Sequence, residues 1–153
     1  MLYYYTDGSA SNNKTRAGGW GVICLNEDFQ ELWRRSNGEP NTTSNRMELK
    51  AIIFALKRTP QEEKAIIYTD SAYISNAINF KWYEVWEQNG WQNARKQPVA
   101  NIDLWKELLQ LYRTHNVKIE KVQGHSGVHW NEEVDILAVS TRRNLERSIK
   151  NEN

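Results

Sequence analysis

The 153-residue chain has little of several features that point to particular classes of protein. It contains one cysteine, Cys24, so no disulfide can form within the chain, which fits a reducing compartment. Cys24 lies in the apolar run Trp20–Leu25, where we expect a small buried thiol rather than a reactive one. The sequence also lacks an N-terminal basic and apolar signal and an apolar stretch long enough to cross a bilayer. We therefore expect a cytoplasmic protein with no membrane contact.

Neither sign of charge dominates the composition. The 20 basic and 19 acidic residues give a net charge of +1, so the overall charge does not indicate a nucleic-acid binder. Binding of a polyanion would have to depend on local groups of cations. Repeats, low-complexity tracts and interdomain linkers are missing as well, and the hydrophobic content of 39% is enough for one core. We predict one monomeric domain over residues 1–150, followed by a frayed tail at residues 151–153.

Apolar runs and their spacing predict five strands and five helices. The strands are expected at Leu2–Thr6, Trp20–Leu25, Gln30–Ser36, Ala65–Thr69 and Val117–Val122, with a tight turn at Asn26–Asp28. The helices are expected at residues 43–58, 71–79, 82–88, 103–114 and 131–149. This order predicts an α/β fold in which a mixed sheet carries helices on its faces.

Four carboxylates occupy positions where a metal site could form: Asp7, Glu48, Asp70 and Asp135. Asp7 and Asp70 each end an apolar run, and ligand sites in open α/β sheets tend to lie at strand ends. Asp135 is expected in the first turns of the last helix. Glu48 shares the inward-facing stripe of its helix, where a charge costs free energy unless a partner or a metal compensates it. Carboxylate oxygens suit Mg²⁺ or Mn²⁺ better than zinc.

The three aspartates also have ordinary structural interpretations. Asp7 before Gly8 could start a turn, Asp70 could cap a helix, and Asp135 could be an acid favoured by the helix dipole. Each interpretation explains one residue alone. They do not explain all three together with Glu48 on a buried stripe, so we favour the metal-site hypothesis.

Several of these segments together resemble type 1 ribonuclease H, the bacterial single-domain kind. The four matching motifs are DGS at 7–9, TTSNRME at 42–48, TDS at 69–71, and GHSG at 124–127 together with Asn131, Glu132 and Asp135. Each segment alone is weak, but four motifs in register within one short domain are a strong signal. The resemblance implies a ribonuclease H-like fold, with a three-stranded antiparallel meander and two parallel strands in a five-stranded sheet flanked by helices.

The resemblance also implies an activity. It is that of an Mg²⁺-dependent endonuclease that cuts the RNA strand of RNA–DNA hybrids, leaves 3′-hydroxyl and 5′-phosphate ends, and removes RNA primers and hybrids during replication and repair. Two Mg²⁺ ions, for which Mn²⁺ can substitute, would be bound by the four carboxylates, with Asp7 bridging them. Glu48 would also bind the 2′-hydroxyl that distinguishes RNA from DNA. His125, in a glycine-flanked loop, would assist proton transfer or product release, although a lone loop histidine is more often a surface residue.

The resemblance places the substrate-binding residues in two regions. The first comprises Asn12, Asn13, Thr43, Ser44 and Asn45, and which of the two loop asparagines faces the RNA stays open because the loop is lengthened. The second is the segment Phe80–Pro98, which we call the handle, with nearby Asn101; its candidates are Lys81, Trp82, Trp86, Trp91, Arg95 and Lys96. The tryptophans could instead hold a helical hairpin together. Glu84 and Glu87 offset part of the positive charge of the handle, so we expect the handle to bind the hybrid weakly.

Two other classes of function compete with this interpretation. One is a module that binds hybrids without cutting them, against which the intact set of four carboxylates argues. The other is a nuclease of the same fold that acts on DNA junctions or on duplex RNA. Asn45, close to Glu48 and able to contact 2′-hydroxyl groups, argues weakly for hybrids.

Overall fold

Five strands form one mixed sheet in the order β3-β2-β1-β4-β5. The computed structural model describes residues 1–122 and 128–152. The strands are β1 (Leu2–Ala10), β2 (Gly18–Leu25), β3 (Glu31–Glu39), β4 (Ala65–Thr69) and β5 (Val117–Lys121). The first three pair antiparallel, while β4 runs parallel to both β1 and β5. The predicted combination of a meander with two parallel strands is therefore confirmed.

Five helices connect or follow the strands. They are α1 (Ser44–Arg58), α2 (Ala72–Asn79), α3 (Trp82–Gln88), α4 (Ile102–Thr114) and α5 (His129–Asn151). The Thr43 hydroxyl caps α1 by accepting a hydrogen bond from the Arg46 N–H at 3.2 Å, as its residue type predicts. In residues 1–122 and 128–152, none of these helices is both long and apolar enough to cross a membrane.

Successive side chains of each strand point to opposite faces of the sheet, and they contribute to a separate apolar cluster on each face. Tyr4, Val22 and Cys24 belong to the larger cluster, which includes buried residues of α1, α2 and α4. Tyr5 and Ile23 belong to the smaller cluster, which includes Val134 of α5. The sheet is thus covered by α1 and α2 on one side and by α5 on the other, and α4 packs on α1. Cys24 is 1% exposed, which confirms the buried thiol.

The structure extends several predicted elements. Strand β1 continues three residues past Asp7 to Ala10, so the prediction that Asp7 ends a strand is wrong. Residues 8–10 contain no large apolar side chain, but they pair with Gly18–Trp20 of β2, a contact that gives no local sequence signal. Likewise, β3 continues to Glu39, and α5 begins at His129 and continues to Asn151, the first residue of the predicted tail.

The predicted tight turn between β2 and β3 is a longer connection, over residues 26–30. The Asn26 side-chain oxygen accepts hydrogen bonds from the N–H groups of Asp28 at 2.9 Å and Gln30 at 3.0 Å. The connection also contains Phe29 in the left-handed region, with φ 58°. A side chain that binds its own backbone stabilises such a loop, as asparagine commonly does.

Candidate active site

Strand register brings Asp7 and Asp70 together. Strands β1 and β4 pair in parallel from Leu2 with Ala65 to Tyr5 with Tyr68, so two residues further along Asp7 and Asp70 lie side by side. The Thr6 hydroxyl donates a hydrogen bond to the Tyr68 carbonyl oxygen at 2.9 Å and ties the two strands just before this point. Asp70 follows the last residue of β4, as predicted.

Two glycines let helices approach the sheet closely enough to add Glu48 and Asp135. A Cβ on Gly8 would lie 2.3 Å from the Glu48 backbone nitrogen, so only glycine allows α1 to sit this near β1. On the other face, a Cβ on Gly19 would lie 2.5 Å from the Ala138 carbonyl oxygen of α5. Helices on both faces therefore present a carboxylate to the same edge of the sheet.

Ligand oxygens of Asp7, Glu48 and Asp70 lie within 4.8 Å of one another. Asp135, in the second turn of α5, is exposed but close enough to Asp7 and Asp70 for its charge to act on both. We call these four residues the carboxylate cluster. Asp7 is only 4% exposed, and the Gly8 N–H donates to its Oδ1 atom at 2.8 Å. The structure thus brings Asp7, Glu48 and Asp70 together, and Asp135 lies beside this group without belonging to it.

Burial and crowding change the acidity of Asp7, Glu48 and Asp70. Burial raises the pKa of Asp7 to about 9, and the charge of Asp70 and the contact with Asp135 add to the increase. Burial, followed by the charge of Asp70, raises the pKa of Glu48 to about 7. The pKa of Asp70 is also raised, by burial and by the charge of Asp135, against which the Lys121 ammonium acts. Asp7, Glu48 and Asp70 therefore resist full ionisation without added positive charge.

This arrangement fits divalent cations. Hard carboxylate oxygens converging at one edge of a sheet are the donors that Mg²⁺ and Mn²⁺ prefer. Burial and, to a lesser extent, repulsion raise the pKa values of Asp7, Glu48 and Asp70, and the charge of a bound cation would offset both effects. Chemically, such a site can bind a phosphodiester and activate water.

The three histidines have different positions. His125 lies outside the described residues, so its predicted role stays a prediction. His115 has a structural position, because its ring nitrogens lie 2.6 Å from the Leu111 carbonyl oxygen and 3.0 Å from that of Thr59. His129 is exposed at the first residue of α5.

The loop between β1 and β2 lies beside the start of α1. The Asn13 side-chain oxygen accepts hydrogen bonds from the Ser11 hydroxyl at 3.0 Å and the Thr15 N–H at 3.0 Å, so it stabilises the loop. Asn12 is exposed and contributes to a cavity of about 170 Å³ between this loop and residues 42–44. This difference between the two asparagines could not be read from the sequence. At the helix start, Ser44 accepts a hydrogen bond from the Ala10 N–H at 3.2 Å, whereas Asn45 is exposed.

Most of the tryptophans of the handle pack against other side chains of the protein. Trp86 is 8% exposed, and its ring centroid lies 5.2 Å from that of Trp105 and 6.4 Å from that of Trp91. For Trp86 the packing alternative therefore describes the structure better than the predicted substrate contact. Trp82, at 38% exposed, leaves part of its ring open, and Trp91 is half-buried.

The cations of the handle are exposed and sit on strained or tightly turned backbone. Lys81 and Lys96 adopt φ 57° and 60°, in the left-handed region. Arg95 and Lys96 belong to a turn held by Asn93, whose side-chain oxygen accepts from the Arg95 N–H at 2.9 Å. Of the two acids, Glu87 pairs with Arg113 of α4 at 2.6 Å. Sequence analysis missed both Asn93 and this ion pair; only the common role of asparagine in turns signalled the first.

Asn101 contributes to the start of α4 and not only to a candidate interface. It adopts φ 63° and accepts a hydrogen bond from the Arg46 guanidinium at 3.3 Å. The same guanidinium donates to both carboxylate oxygens of Asp103 at 3.0 Å. Arg46, which sequence analysis did not single out, therefore joins α1 to α4 beside Thr43 and Asn101.

Comparisons with known proteins identify relatives of this chain. The sequence model of the family described as RNase H matches residues 1–143. The chain is 48% identical over 136 residues to a Ribonuclease H of Caldicellulosiruptor saccharolyticus, covering 89% of this chain and 92% of that protein. It is 47% identical over 146 residues to a Ribonuclease H of Syntrophomonas wolfei, covering 94% and 97%.

A solved structure gives the same result for the fold. The crystal structure of LC9-RNase H1, described as a type 1 RNase H with the type 2 active-site motif, superposes with a TM-score of 0.77 and 30% sequence identity. The superposition covers 94% of this chain and 72% of that one.

Proposed function

This chain belongs to the RNase H family, and on that basis we propose that it is an endonuclease that hydrolyses the RNA strand of RNA–DNA hybrids with two bound divalent metal ions. The observation that carries the proposal is the convergence of Asp7, Glu48 and Asp70 within 4.8 Å, in a family member whose curated relatives are ribonucleases H. Cleavage is expected to leave 3′-hydroxyl and 5′-phosphate ends.

The carboxylate cluster would hold the metal ions, with Mg²⁺ as the expected ion and Mn²⁺ as a substitute. Asp7 would be the most central ligand, because the charge of Asp70 and the contact with Asp135 both act on it and it is almost fully buried. When bound, the ions supply an activated water and neutralise the charge that develops on the departing 3′ oxygen. His125 is the proposed aid to proton transfer or product release.

Glu48 is the proposed contact to the 2′-hydroxyl of the RNA strand. It lies one helical turn beyond Ser44, so the start of α1 and the carboxylate cluster form one continuous surface. A carboxylate there can accept a hydrogen bond from a ribose 2′-hydroxyl, the group that distinguishes the RNA strand from DNA. The side chains of Asn12 and Asn45 are exposed, Asn12 in the cavity that Ser44 also lines and Asn45 three residues before Glu48 on α1, and both are proposed contacts to the hybrid.

The handle is a weaker proposed contact. Trp82 and the cations Lys81, Arg95 and Lys96 are exposed and can reach a nucleic-acid backbone. Trp86 is instead buried and packs against Trp105. The roles in primer removal and repair, the cytoplasmic location and the monomeric state remain predictions.

One assay separates the candidate functions. Labelled RNA is offered as a hybrid with DNA, as duplex RNA and as a single strand, each with Mg²⁺ or with chelator, beside a DNA junction. We expect Mg²⁺-dependent cleavage of the hybrid alone, with 3′ ends that a polymerase can extend. Binding without cleavage in Mg²⁺ would indicate a binding module, and equal cutting of duplex RNA or of the junction would indicate the other nuclease class.

A further inference from the structure

The loop between β1 and β2 carries positive charge without nearby acidic residues in its sequence. Residues 10–17 include Lys14 and Arg16 and no carboxylate, whereas the handle combines three cations with Glu84 and Glu87. Both loop cations are exposed. Over residues 1–122 and 128–152, the ion pairs found do not include Lys14 or Arg16. Their charge is therefore available to an external anion.

Backbone contacts fix the position of Arg16. Its N–H donates to the Asn13 carbonyl oxygen at 3.1 Å, and its carbonyl oxygen accepts from the Thr42 N–H at 3.0 Å. These bonds join the loop to the segment that leads into α1. Arg16 is held at φ 43°, in the left-handed region, where glycine would be less strained. An arginine is thus kept at a position that its backbone conformation disfavours.

A polar cavity of about 170 Å³ lies between Arg16 and the start of α1. Its lining includes Asn12, Arg16, Thr42, Thr43 and Ser44. A water molecule takes about 30 Å³ in the liquid, so this volume has room for a phosphate group. The N–H groups of Ser44 and Asn45, the first two residues of α1, have no acceptor within the helix, and the helix dipole favours an anion at this end.

The Thr42 hydroxyl is a second, independent observation that points to a ligand in the cavity. It is 6% exposed, it contributes to the cavity lining, and its hydroxyl has no hydrogen-bond partner among the described residues. Buried hydroxyl groups are nearly always hydrogen-bonded, because leaving one unpaired costs stability. An anion or a water held by an anion in the cavity would supply the missing acceptor.

We propose that Arg16 binds a backbone phosphate of the hybrid in this cavity, together with the start of α1. The loop would then supply much of the affinity for the hybrid that the handle, with its acidic residues, lacks. The inference rests on the proposed function. Ser44 and Glu48 are four residues apart on α1, about 6 Å along the helix axis, so the phosphate bound here belongs to a nucleotide near the scissile bond. The phosphate comes from either the RNA strand or the DNA strand.

The test compares Arg16→Gln with Lys64→Gln, which removes a cation before β4, at the end of that strand opposite Asp70. KM, kcat and the salt dependence of KM are measured on a hybrid. Arg16→Gln should raise KM about tenfold, as for loss of one charge-assisted hydrogen bond, and reduce the salt slope by about one unit, with kcat nearly unchanged. Lys64→Gln should behave as wild type, and Arg16→Lys should recover part of the loss.

Two additional experiments separate an effect on phosphate binding from an effect on folding. Arg16→Gly fits the left-handed backbone, so it should fold as well as wild type and still show the higher KM. Hybrids with neutral methylphosphonates in the RNA strand or in the DNA strand identify the bound phosphate, because the neutral linkage at that position should remove the difference between wild type and Arg16→Gln. Wild-type KM and salt slope in both Arg16→Gln and Arg16→Gly would overturn the inference while leaving the function intact. Failure of the wild-type protein to cut hybrids would instead overturn the function.

Discussion

The carboxylate cluster and the handle arrange charged side chains in opposite ways. In the carboxylate cluster, acids crowd together at the edge of the sheet, and burial with mutual repulsion raises the pKa values of Asp7, Glu48 and Asp70. In the handle, charges of both signs are exposed, and the pairing of Glu87 with Arg113 lowers the pKa of that carboxyl. The first region stores unfavourable electrostatic energy that a bound cation can relieve. The second has already compensated part of its charge internally.

This difference indicates which region depends on a ligand. A cluster of like charges is stabilised by binding, because a ligand that prefers the native state shifts the folding equilibrium. An internally paired surface gains less from a ligand, because existing ion pairs must be given up. We therefore expect changes in the carboxylate cluster to alter catalysis and metal-dependent stability. Changes of charge in the handle should alter substrate affinity with little effect on kcat.

Asp7→Asn should give the largest effect. Turnover in Mg²⁺ should fall by more than about 10³-fold, beyond the roughly 10²–10³-fold typical of losing one donor to the transition state. Thermal stability in chelator should be unchanged or higher, since one of several repelling carboxylates is gone. Cleavage assays and melting curves check both. Asp28→Asn, an exposed acid in the connection before β3, is the matched control. Near-wild-type turnover of Asp7→Asn would refute the metal-site assignment.

His125→Ala should slow turnover by about 10²–10⁴-fold, the usual contribution of a positioned proton carrier. Detectable activity should remain, because the metal ions still supply the nucleophile. His129→Ala, which removes an exposed histidine at the start of α5, should leave turnover near wild type. Single-turnover kinetics in Mg²⁺ distinguish the two variants. Complete loss of activity in a folded His125→Ala protein would show a more central role.

Metal-free stability should depend on pH through the carboxylate cluster. The native pKa values of about 9 for Asp7 and about 7 for Glu48 lie above the ordinary values of 3.8 and 4.5, so the native state holds more protons between these limits. The free energy of unfolding contributed by these groups therefore falls as pH rises from about 4 to about 9.

Melting curves in chelator check this dependence. The difference in Tm between Asp7→Asn and wild type should widen in favour of the variant from pH 5 to pH 9, and saturating Mg²⁺ should cancel or reverse it. A difference that stays constant with pH would show that Asp7 does not titrate in this range.

The two regions also differ in how far the sequence predicts them. The bounds of β4 and α3 agree with the structure, because a short apolar run and a compact helical pattern are local signals. Asp70 could be placed at a strand end for the same reason. The extension of β1 beyond Asp7 could not, since it depends on pairing with Gly18–Trp20.

Side-chain partners were the least predictable feature. Glu87 and Arg113 lie 26 residues apart on different helices, and no local pattern relates them. The burial of Trp86 against Trp105 is likewise a tertiary contact. Carboxylates could be identified by their position on the backbone framework, whereas the net charge that the handle presents depends on which of its residues are already paired.

The smallest expected effect comes from adding charge to the handle. Gln88 and Asn89 are exposed at the end of α3, where lysines also suit the helix dipole. Gln88→Lys with Asn89→Lys should lower KM a few-fold and steepen the salt slope by up to about two units, one for each new phosphate contact. The value of kcat should change little, because the substitutions are made outside the carboxylate cluster. Measuring KM and kcat at several salt concentrations tests this.

Adding Glu87→Lys to this double variant separates charge from structure. The third lysine adds positive charge, but it also breaks the pair with Arg113 and places two cations together. Because exposed pairs contribute at most about 1 kcal/mol, Tm should fall slightly while the salt slope rises again. If neither variant changed KM or the salt slope, the handle would not touch the hybrid. Its tryptophans would then have the packing role alone, and affinity would depend on the loop between β1 and β2.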